Sequence, residues 1–194
     1  MRNVVVLLVV ILTATPSRAD TAAAWAALRA GKAVALIRHA DAPGIGDPPG
    51  YKLEDCSTQR NLSERGKAQA AAIGALFRAN QIAVSRIISS PWCRCLETAR
   101  LMDVGPVAVD SSFSNAFVLT DRRDELKAQG SAVISAWQSG NLLVVTHGAN
   151  IAALTGQQVA PAETLVVEPG LAGDWPNSFA ELEAAGSGTG TALG

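Results

Sequence analysis

Two histidines and two arginines stand at the ends of short apolar runs, where the sequence changes abruptly from apolar to polar. The chain contains two histidines in all, His39 and His147, and each directly follows such a run. Arg38 precedes the first histidine, and Arg94 follows a third run and Pro91. Guanidinium groups bind the oxygens of a phosphoryl group, and a neutral imidazole is a nucleophile near neutral pH. Together the four side chains could bind a phosphoryl group, hold it as a phosphohistidine and release it to water.

The apolar runs are predicted to be the strands that position these residues. They are continuously apolar, which is typical of strands covered on both faces. We predict strands at 33–37, 84–89, 107–109, 141–146 and 164–168. We predict helices at 21–30, 63–80, 91–102, 121–139 and 150–154, the second capped by Ser63 and the third opened by Ser90 and Pro91.

Strands that alternate with helices predict an α/β fold, here a three-layer sandwich with a mainly parallel central sheet. Ligands of such sheets bind at the carboxyl ends of the strands. We therefore expect Arg38, His39, Arg94 and His147 to line one pocket. The irregular stretches 41–60 and 111–121 are expected to roof it.

Length and composition indicate one domain. The chain has 194 residues, of which 48% are hydrophobic and 17% charged, enough for one substantial core. We place this domain at 20–170 and predict an irregular, flexible tail at 171–194, because the apolar pattern decays there. The net charge of −1 and the scattered basic residues argue against a nucleic-acid or membrane-surface partner.

The first 19 residues have the pattern of a secretory signal peptide. Arg2 precedes an apolar stretch at 4–12, and small residues end at Ala19, where we predict cleavage. An uncleaved membrane anchor is the alternative, but the stretch is about half of the roughly 20 residues that span a bilayer. The mature protein is therefore expected to be secreted, and periplasmic in a Gram-negative bacterium, with no membrane contact after cleavage.

Export makes a disulfide plausible for the three cysteines, Cys56, Cys93 and Cys95. A bridge from Cys56 to either of the others would fix the helix that carries Arg94, and we favour Cys93. Three reduced, buried thiols are the alternative. The cysteine spacing does not match a zinc site, and we predict neither a metal nor another cofactor.

Several segments of the chain resemble the histidine phosphatase superfamily, which has the phosphoglycerate-mutase-like fold. The resemblance covers about 33–168 and is carried by motifs in the family order. They are Arg38-His39-Ala40, with alanine where the family has glycine, Leu62-Ser63-Glu64-Arg65-Gly66, Ser90-Pro91-Trp92-Cys93-Arg94 leading to Thr98-Ala99, and Thr146-His147-Gly148. The resemblance implies that His39 is the phosphorylated nucleophile, that Arg38 and Arg94 bind phosphate, and that His147 is the second pocket histidine.

The implied activity is hydrolysis of phosphomonoesters or phosphohistidine through a phosphohistidine on His39, with a small phosphorylated molecule or a phosphoprotein as substrate. The corresponding branch of the family has a glutamate as proton donor where this chain has Phe113-Ser114-Asn115. The remaining candidate donors are Asp41, Glu97, Asp121 and Asp124, although Glu97 could pair with Arg100 or Arg94, and Asp121 could cap a helix. A phosphate-binding pseudoenzyme without a proton donor is the alternative function. The oligomeric state is not predicted.

Overall fold

The computed structural model of the chain describes residues 18–167, 169 and 180–182. The signal peptide predicted at 1–19, apart from its last two residues, and most of the tail predicted at 171–194 lie outside the described residues. The helices are α1 (Arg18–Arg29), α2 (Glu64–Ala79), α3 (Cys93–Met102), α4 (Arg123–Ser135) and α5 (Gly148–Thr155). The strands are β1 (Val34–Arg38), β2 (Val84–Ser89), β3 (Val107–Val109), β4 (Asn141–Thr146), β5 (Thr164–Val167) and β6 (Ala180–Leu182). Short 3-10 turns lie at Cys56–Thr58, Ser111–Phe113 and Thr120–Arg122.

The described strands form one sheet in the order β3-β2-β4-β1-β5-β6. The first four strands of this order are parallel, whereas β5 is antiparallel to β1, and β6 is antiparallel to β5. The five predicted strands are confirmed, with bounds that differ by at most one residue. The prediction of an irregular segment at 171–194 is wrong at β6, whose Ala-Glu-Leu sequence carries no strand signal and which gains its conformation by pairing with β5.

Helices cover both faces of the sheet and give the predicted three layers. Residues of β1 alternate between two cores, because successive side chains of a strand point to opposite faces. Ala35 and Ile37 pack with residues of α1, α2 and α3, such as Phe77. Val34 and Leu36 pack with residues of α4 and α5. Burial on both faces explains why the strand sequence is continuously apolar.

Four helix starts differ from the prediction by two or three residues, since α1 and α5 begin earlier and α3 and α4 begin later. Helix α3 begins at Cys93, two residues after Pro91, with Trp92 at the N-cap. The Ser90 hydroxyl binds a histidine instead of capping the helix. Helix α4 begins at Arg123, and Asp121 lies in the preceding 3-10 turn, so that its predicted role as a helix cap is wrong.

The start of α2 fixes the chain that leaves β1. The predicted cap is confirmed, because Ser63 Oγ accepts a hydrogen bond from the Gly66 amide at 3.0 Å. The Gly66 backbone lies so close to Asp41 that a Cβ atom there would be 2.1 Å from the Asp41 carbonyl oxygen. Only glycine permits this approach. The motif Leu-Ser-Glu-Arg-Gly therefore anchors the residues immediately after Arg38 and His39.

Candidate active site

The four residues singled out by the sequence line one cavity of about 800 Å³. Strands β2, β4 and β1 are parallel neighbours, so their carboxyl ends meet at one edge of the sheet. Arg38 ends β1 and His39 follows it, His147 follows β4, and Arg94 lies in the first turn of the helix after β2. The expected juxtaposition is thus present in the structure.

His39 has one ring nitrogen available for chemistry. Its Nδ1 donates to the carbonyl oxygen of Ala40 at 2.9 Å, since a carbonyl can only accept. In the neutral ring this leaves Nε2 without a proton and with a free lone pair. Burial, together with the charge of nearby arginines such as Arg94, lowers the pKa of His39 to about 3, although the bond to Ala40 opposes the shift. The imidazole is therefore neutral at physiological pH.

His147 is the second histidine of the cavity and is held from several sides. Its Nε2 lies 2.9 Å from Ser90 Oγ, and the Cys95 Sγ atom lies 3.6 Å from the same nitrogen. The Trp92 ring packs edge to face against His147 with a centroid distance of 5.5 Å. The His39 and His147 rings are also 5.5 Å apart. Burial, followed by the proximity of His39 and Arg94, lowers the pKa of His147 well below its ordinary value. Both histidines are thus neutral before an anion binds.

Arg94 is paired with a carboxylate that was not among the predicted site residues. Its Nη1 and Nη2 atoms contact the two oxygens of Asp47 at 2.7 and 3.3 Å, and both side chains are buried. The alternative pairing with Glu97 is wrong. The Asp47 carboxylate also accepts from Trp92 Nε1 at 3.0 Å and from the Arg60 amide at 3.1 Å. Burial alone raises the pKa of Asp47, but the hydrogen bonds and charge of Arg94 and the other donors lower it overall.

Two arginines leave a buried nitrogen without a partner among the described residues. Arg38 donates from Nη1 to the Val159 carbonyl at 2.7 Å, while its Nε has no acceptor. The Nε of Arg94 is equally unpaired. Buried donors are almost always satisfied in folded proteins. Since phosphoryl oxygens are strong acceptors, an anion in this cavity would supply the missing partners.

Arg60 is a third arginine at the phosphoryl end of the cavity, and it was not among the predicted site residues. Its Nε donates to the Gly46 carbonyl at 2.9 Å, and its Nη1 donates to the Ala42 carbonyl. Burial, and then the charge of Arg94, lowers the pKa of Arg60, and burial lowers that of Arg38. A bound anion would compensate this concentration of positive charge.

Thr98 links the candidate nucleophile to the helix that carries Arg94. Its Oγ1 accepts from the Ala40 amide at 3.1 Å and donates to the Arg94 carbonyl at 2.7 Å. The threonine of the Ser-x-x-x-Arg-x-x-x-Thr-Ala segment thus holds the ends of β1 and α3 in register.

The predicted disulfide between Cys56 and Cys93 is confirmed, with a Cα–Cα distance of 5.6 Å. Gln59 adds a second connection, because its Oε1 accepts from the Cys93 amide at 3.0 Å. Cys95 is free and buried, and burial raises the pKa of its thiol to about 12. The stretch 41–60 is therefore fixed to the start of α3, one residue before Arg94.

Both stretches expected to roof the cavity line it. The first contributes 41–46 and Arg60, and the second contributes Asn115, Phe117 and the adjoining Arg123. Arg123 was not selected from the sequence, because it lies within a charged run that is typical of an exposed helix face.

Of the four candidate proton donors, Asp41 alone lines the cavity, and its Oδ2 accepts from Ser63 Oγ at 2.6 Å. Glu97, Asp121 and Asp124 do not line it. Asn115 does, and its Oδ1 accepts from the Phe117 amide at 3.1 Å. An amide therefore lies in the segment where the family has a glutamate.

Within the described ranges, no group of three or more histidine, cysteine, aspartate or glutamate side chains is arranged to hold a metal ion. No helix of the described chain is long and apolar enough to cross a bilayer.

Comparisons with known proteins agree with this fold and these motifs. The model of the histidine phosphatase superfamily (branch 1) matches residues 34–114. No curated protein sequence matches significantly. Among solved structures, a mycobacterial glucosyl-3-phosphoglycerate phosphatase aligns with a TM-score of 0.53 at 16% identity, over 71% of this chain and 90% of its own.

Two further structures are similar to the same extent. A Nakamurella multipartitia protein assigned as the phosphohistidine phosphatase SixA aligns with a TM-score of 0.52 at 18% identity, over 71% of this chain and 84% of its own. An Escherichia coli protein assigned as an alpha-ribazole-5'-P phosphatase aligns at 0.55 and 17% identity, over 71% of this chain and 90% of its own.

The chain is similar to the histidine phosphatase superfamily over residues 34–114 and has the phosphoglycerate-mutase-like α/β fold. This similarity supports a phosphohydrolase function.

Proposed function

We propose that the protein is an exported phosphohydrolase that cleaves phosphomonoesters or phosphohistidine through a covalent phosphohistidine on His39. The observation that carries the proposal is the hydrogen bond from His39 Nδ1 to the Ala40 carbonyl, which leaves the Nε2 lone pair free in a cavity lined by arginines. Nε2 attacks phosphorus, an Nε2–P bond forms and the bond to the leaving group breaks. Water then attacks phosphorus, which releases inorganic phosphate and restores the imidazole.

Arg38, Arg94 and His147 are the groups that we assign to the phosphoryl oxygens. The unpaired Nε atoms of both arginines are donors of the kind that stabilise negative charge on a transferring phosphoryl group. His147 is neutral before binding, and a dianion beside it would raise its pKa and favour the protonated, donating ring. Asp47 keeps the Arg94 guanidinium in a fixed orientation, so that its free edge needs no reorganisation when the substrate arrives.

We infer the preferred kind of leaving group from the fact that no proton donor is assigned. An alkoxide departs slowly unless an acid protonates it, whereas an imidazole or an aryl oxide departs more readily. With Asn115 in the segment where a glutamate is expected, we propose that good leaving groups are preferred. Phosphohistidine and aryl phosphates meet this condition.

Export is proposed on the pattern of residues 1–19 and on the disulfide. A structural disulfide between Cys56 and Cys93 requires an oxidising compartment to persist. Mass spectrometry of the protein recovered from the periplasm of a Gram-negative host should show an N-terminus at Asp20. A chain that retains residues 1–19 would contradict cleavage.

Two measurements separate an enzyme from a phosphate-binding pseudoenzyme. We expect wild-type protein to hydrolyse para-nitrophenyl phosphate and His39→Ala to lose at least about a thousandfold in kcat, while both bind inorganic phosphate in a calorimeter. Wild-type protein that binds phosphate but gives no turnover with any aryl phosphate or phosphohistidine would favour the pseudoenzyme. Retained turnover in His39→Ala would refute the assignment of the nucleophile.

A further inference from the structure

The cavity is larger than its phosphoryl end requires. A phosphate ion held by the arginines near His39 would fill only a small part of about 800 Å³. The rest of the lining includes the stretch after β3 and one face of α5 with Ala149, Ala152 and Ala153. Residues three and four apart lie on the same face of a helix. Because these three are alanines, they leave space along that face of α5. The body of the substrate therefore has a defined path away from the reacting group.

Arg123 lines the cavity beside the second turn of α5. It also contacts a smaller pocket together with Ala153 and Leu154 of α5. Helix α5 begins directly after His147, and the six residues from His147 to Ala153 correspond to roughly 9 Å along a helix axis. Arg123 thus lines the cavity from a different segment than the arginines assigned to the phosphoryl group.

The guanidinium of Arg123 is available to a ligand. The side chain is exposed, and its Nε makes one long hydrogen bond, 3.5 Å to the Ala116 carbonyl. In the described part of the chain it forms no ion pair, whereas the adjacent Arg122 is paired with Glu125 at 2.9 Å. Arg94, at the other end, is already paired with Asp47. Arg123 is therefore a cation at the cavity that no carboxylate of the described chain neutralises.

We propose that Arg123 binds a second anionic group of the substrate. This inference rests on the proposed function. It narrows the substrate to a phosphorylated molecule that carries a carboxylate or another phosphate up to roughly 9 Å from the reacting phosphoryl group. The planar guanidinium fork suits either group, because both present paired oxygens. Arg123 thereby determines which phosphorylated compounds bind, and it takes no part in the transfer itself.

Binding of phosphonates tests the proposal without turnover. The probes are alkylphosphonates and ω-phosphonocarboxylic acids of matched chain length, with bisphosphonates to distinguish the two kinds of second group. We expect a terminal carboxylate or phosphonate to tighten Kd by about tenfold in wild-type protein at low salt, an effect of a charge-assisted contact that weakens as salt is added. In Arg123→Gln the gain should fall to at most about twofold, and Arg123→Lys should restore part of it.

Arg122→Gln is the matched control, since Arg122 is the neighbouring arginine, does not line the cavity and is paired with Glu125. It should keep the tenfold gain. Equal Kd values for the two probe series in wild-type protein, or an undiminished gain in Arg123→Gln, would overturn the inference while the phosphatase proposal stands. If plain alkylphosphonates fail to bind at all, the phosphoryl site itself is refuted, and both proposals fall.

Discussion

The two segments that line the cavity are fixed in different ways. The fastened segment, 41–60, is tied to α3 by a disulfide, by the buried pair of Asp47 and Arg94, and by Gln59. The open segment, 111–123, is held without a covalent link, by hydrogen bonds with Thr146 and Asn150, and it leaves Phe117 about half exposed. The fastened segment orients the groups assigned to the phosphoryl oxygens. We propose that the open segment faces the leaving group and the substrate body, so that specificity can change there while the phosphoryl site is kept.

The largest effect should come from removing the carboxylate of the fastened segment. Asp47→Asn leaves the Arg94 guanidinium buried without a counter-charge, which costs about 3–5 kcal/mol in comparable cases. Urea unfolding should show this loss. Because the site then loses a negative charge while the guanidinium is poorly oriented, kcat for para-nitrophenyl phosphate should fall while phosphate binds at least as tightly.

Asp55→Asn is the control, since Asp55 lies in the same segment but bonds Ser57 at the surface. Its kcat should match that of the wild type. The pKa of Asp47 is lowered in the folded protein, so its contribution is complete above the ordinary value of 3.8 and is lost as the pH falls through the lowered pKa. Asp47→Asn should lack this acid dependence. A kcat equal to wild type in Asp47→Asn would show that the pair does not orient Arg94.

The disulfide should have the next largest effect. It joins residues 37 apart, and a loop of that size predicts a stabilisation on the order of 4 kcal/mol through the unfolded chain. We expect the double variant Cys56→Ser/Cys93→Ser to unfold at lower urea concentration and to lose about tenfold in kcat/KM. Reductant should lower the stability and kcat/KM of the wild type to the same extent, and it should leave the double variant unchanged. Equal stability of oxidised and reduced wild type would mean that the other contacts suffice to hold the segment.

A smaller and selective effect is expected in the open segment. Asn115→Asp keeps the oxygen that accepts from the Phe117 amide and supplies a carboxyl group of the same size. If this position faces the leaving group, kcat/KM for an alkyl phosphate should rise by about tenfold, a modest share of what general acids contribute. The value for para-nitrophenyl phosphate should change little. Similar changes for both substrates would show that no proton reaches the leaving group from here.

The smallest expected effect concerns the two histidines of the cavity, whose imidazoles should not titrate near neutral pH. Since the chain has two histidines, an NMR spectrum of the untagged protein contains two imidazole signals. Burial lowers the pKa of His39 to about 3 and that of His147 well below 6.5, so neither should titrate between pH 5 and 8. The unfolded chain takes up protons below 6.5 and the folded one does not, so stability should fall as the pH drops from 6.5 toward 3. A midpoint near 6.5 in the folded protein would contradict the buried, neutral pair.

The sequence predicted the parts of this site that depend on local pattern. Continuous apolar runs identified the strands, and the parallel-sheet rule brought Arg38, His39, Arg94 and His147 to one edge. Asp47 was not found, because it lies among glycines and prolines and its partner is 47 residues away. Strand β6 was missed for a similar reason, since its pairing with β5 is tertiary. Only the folded structure could reveal either contact.

The covalent intermediate is the most direct test of the central claim. The protein is mixed with excess para-nitrophenyl phosphate, denatured within the first turnovers at alkaline pH, where phosphohistidine persists, and digested for mass spectrometry. The account predicts one phosphoryl group on the peptide that contains His39, lost on brief acid treatment and missing in His39→Ala. Turnover in wild-type protein with a phosphoryl group on another residue, or with water attacking directly and no adduct, would contradict it.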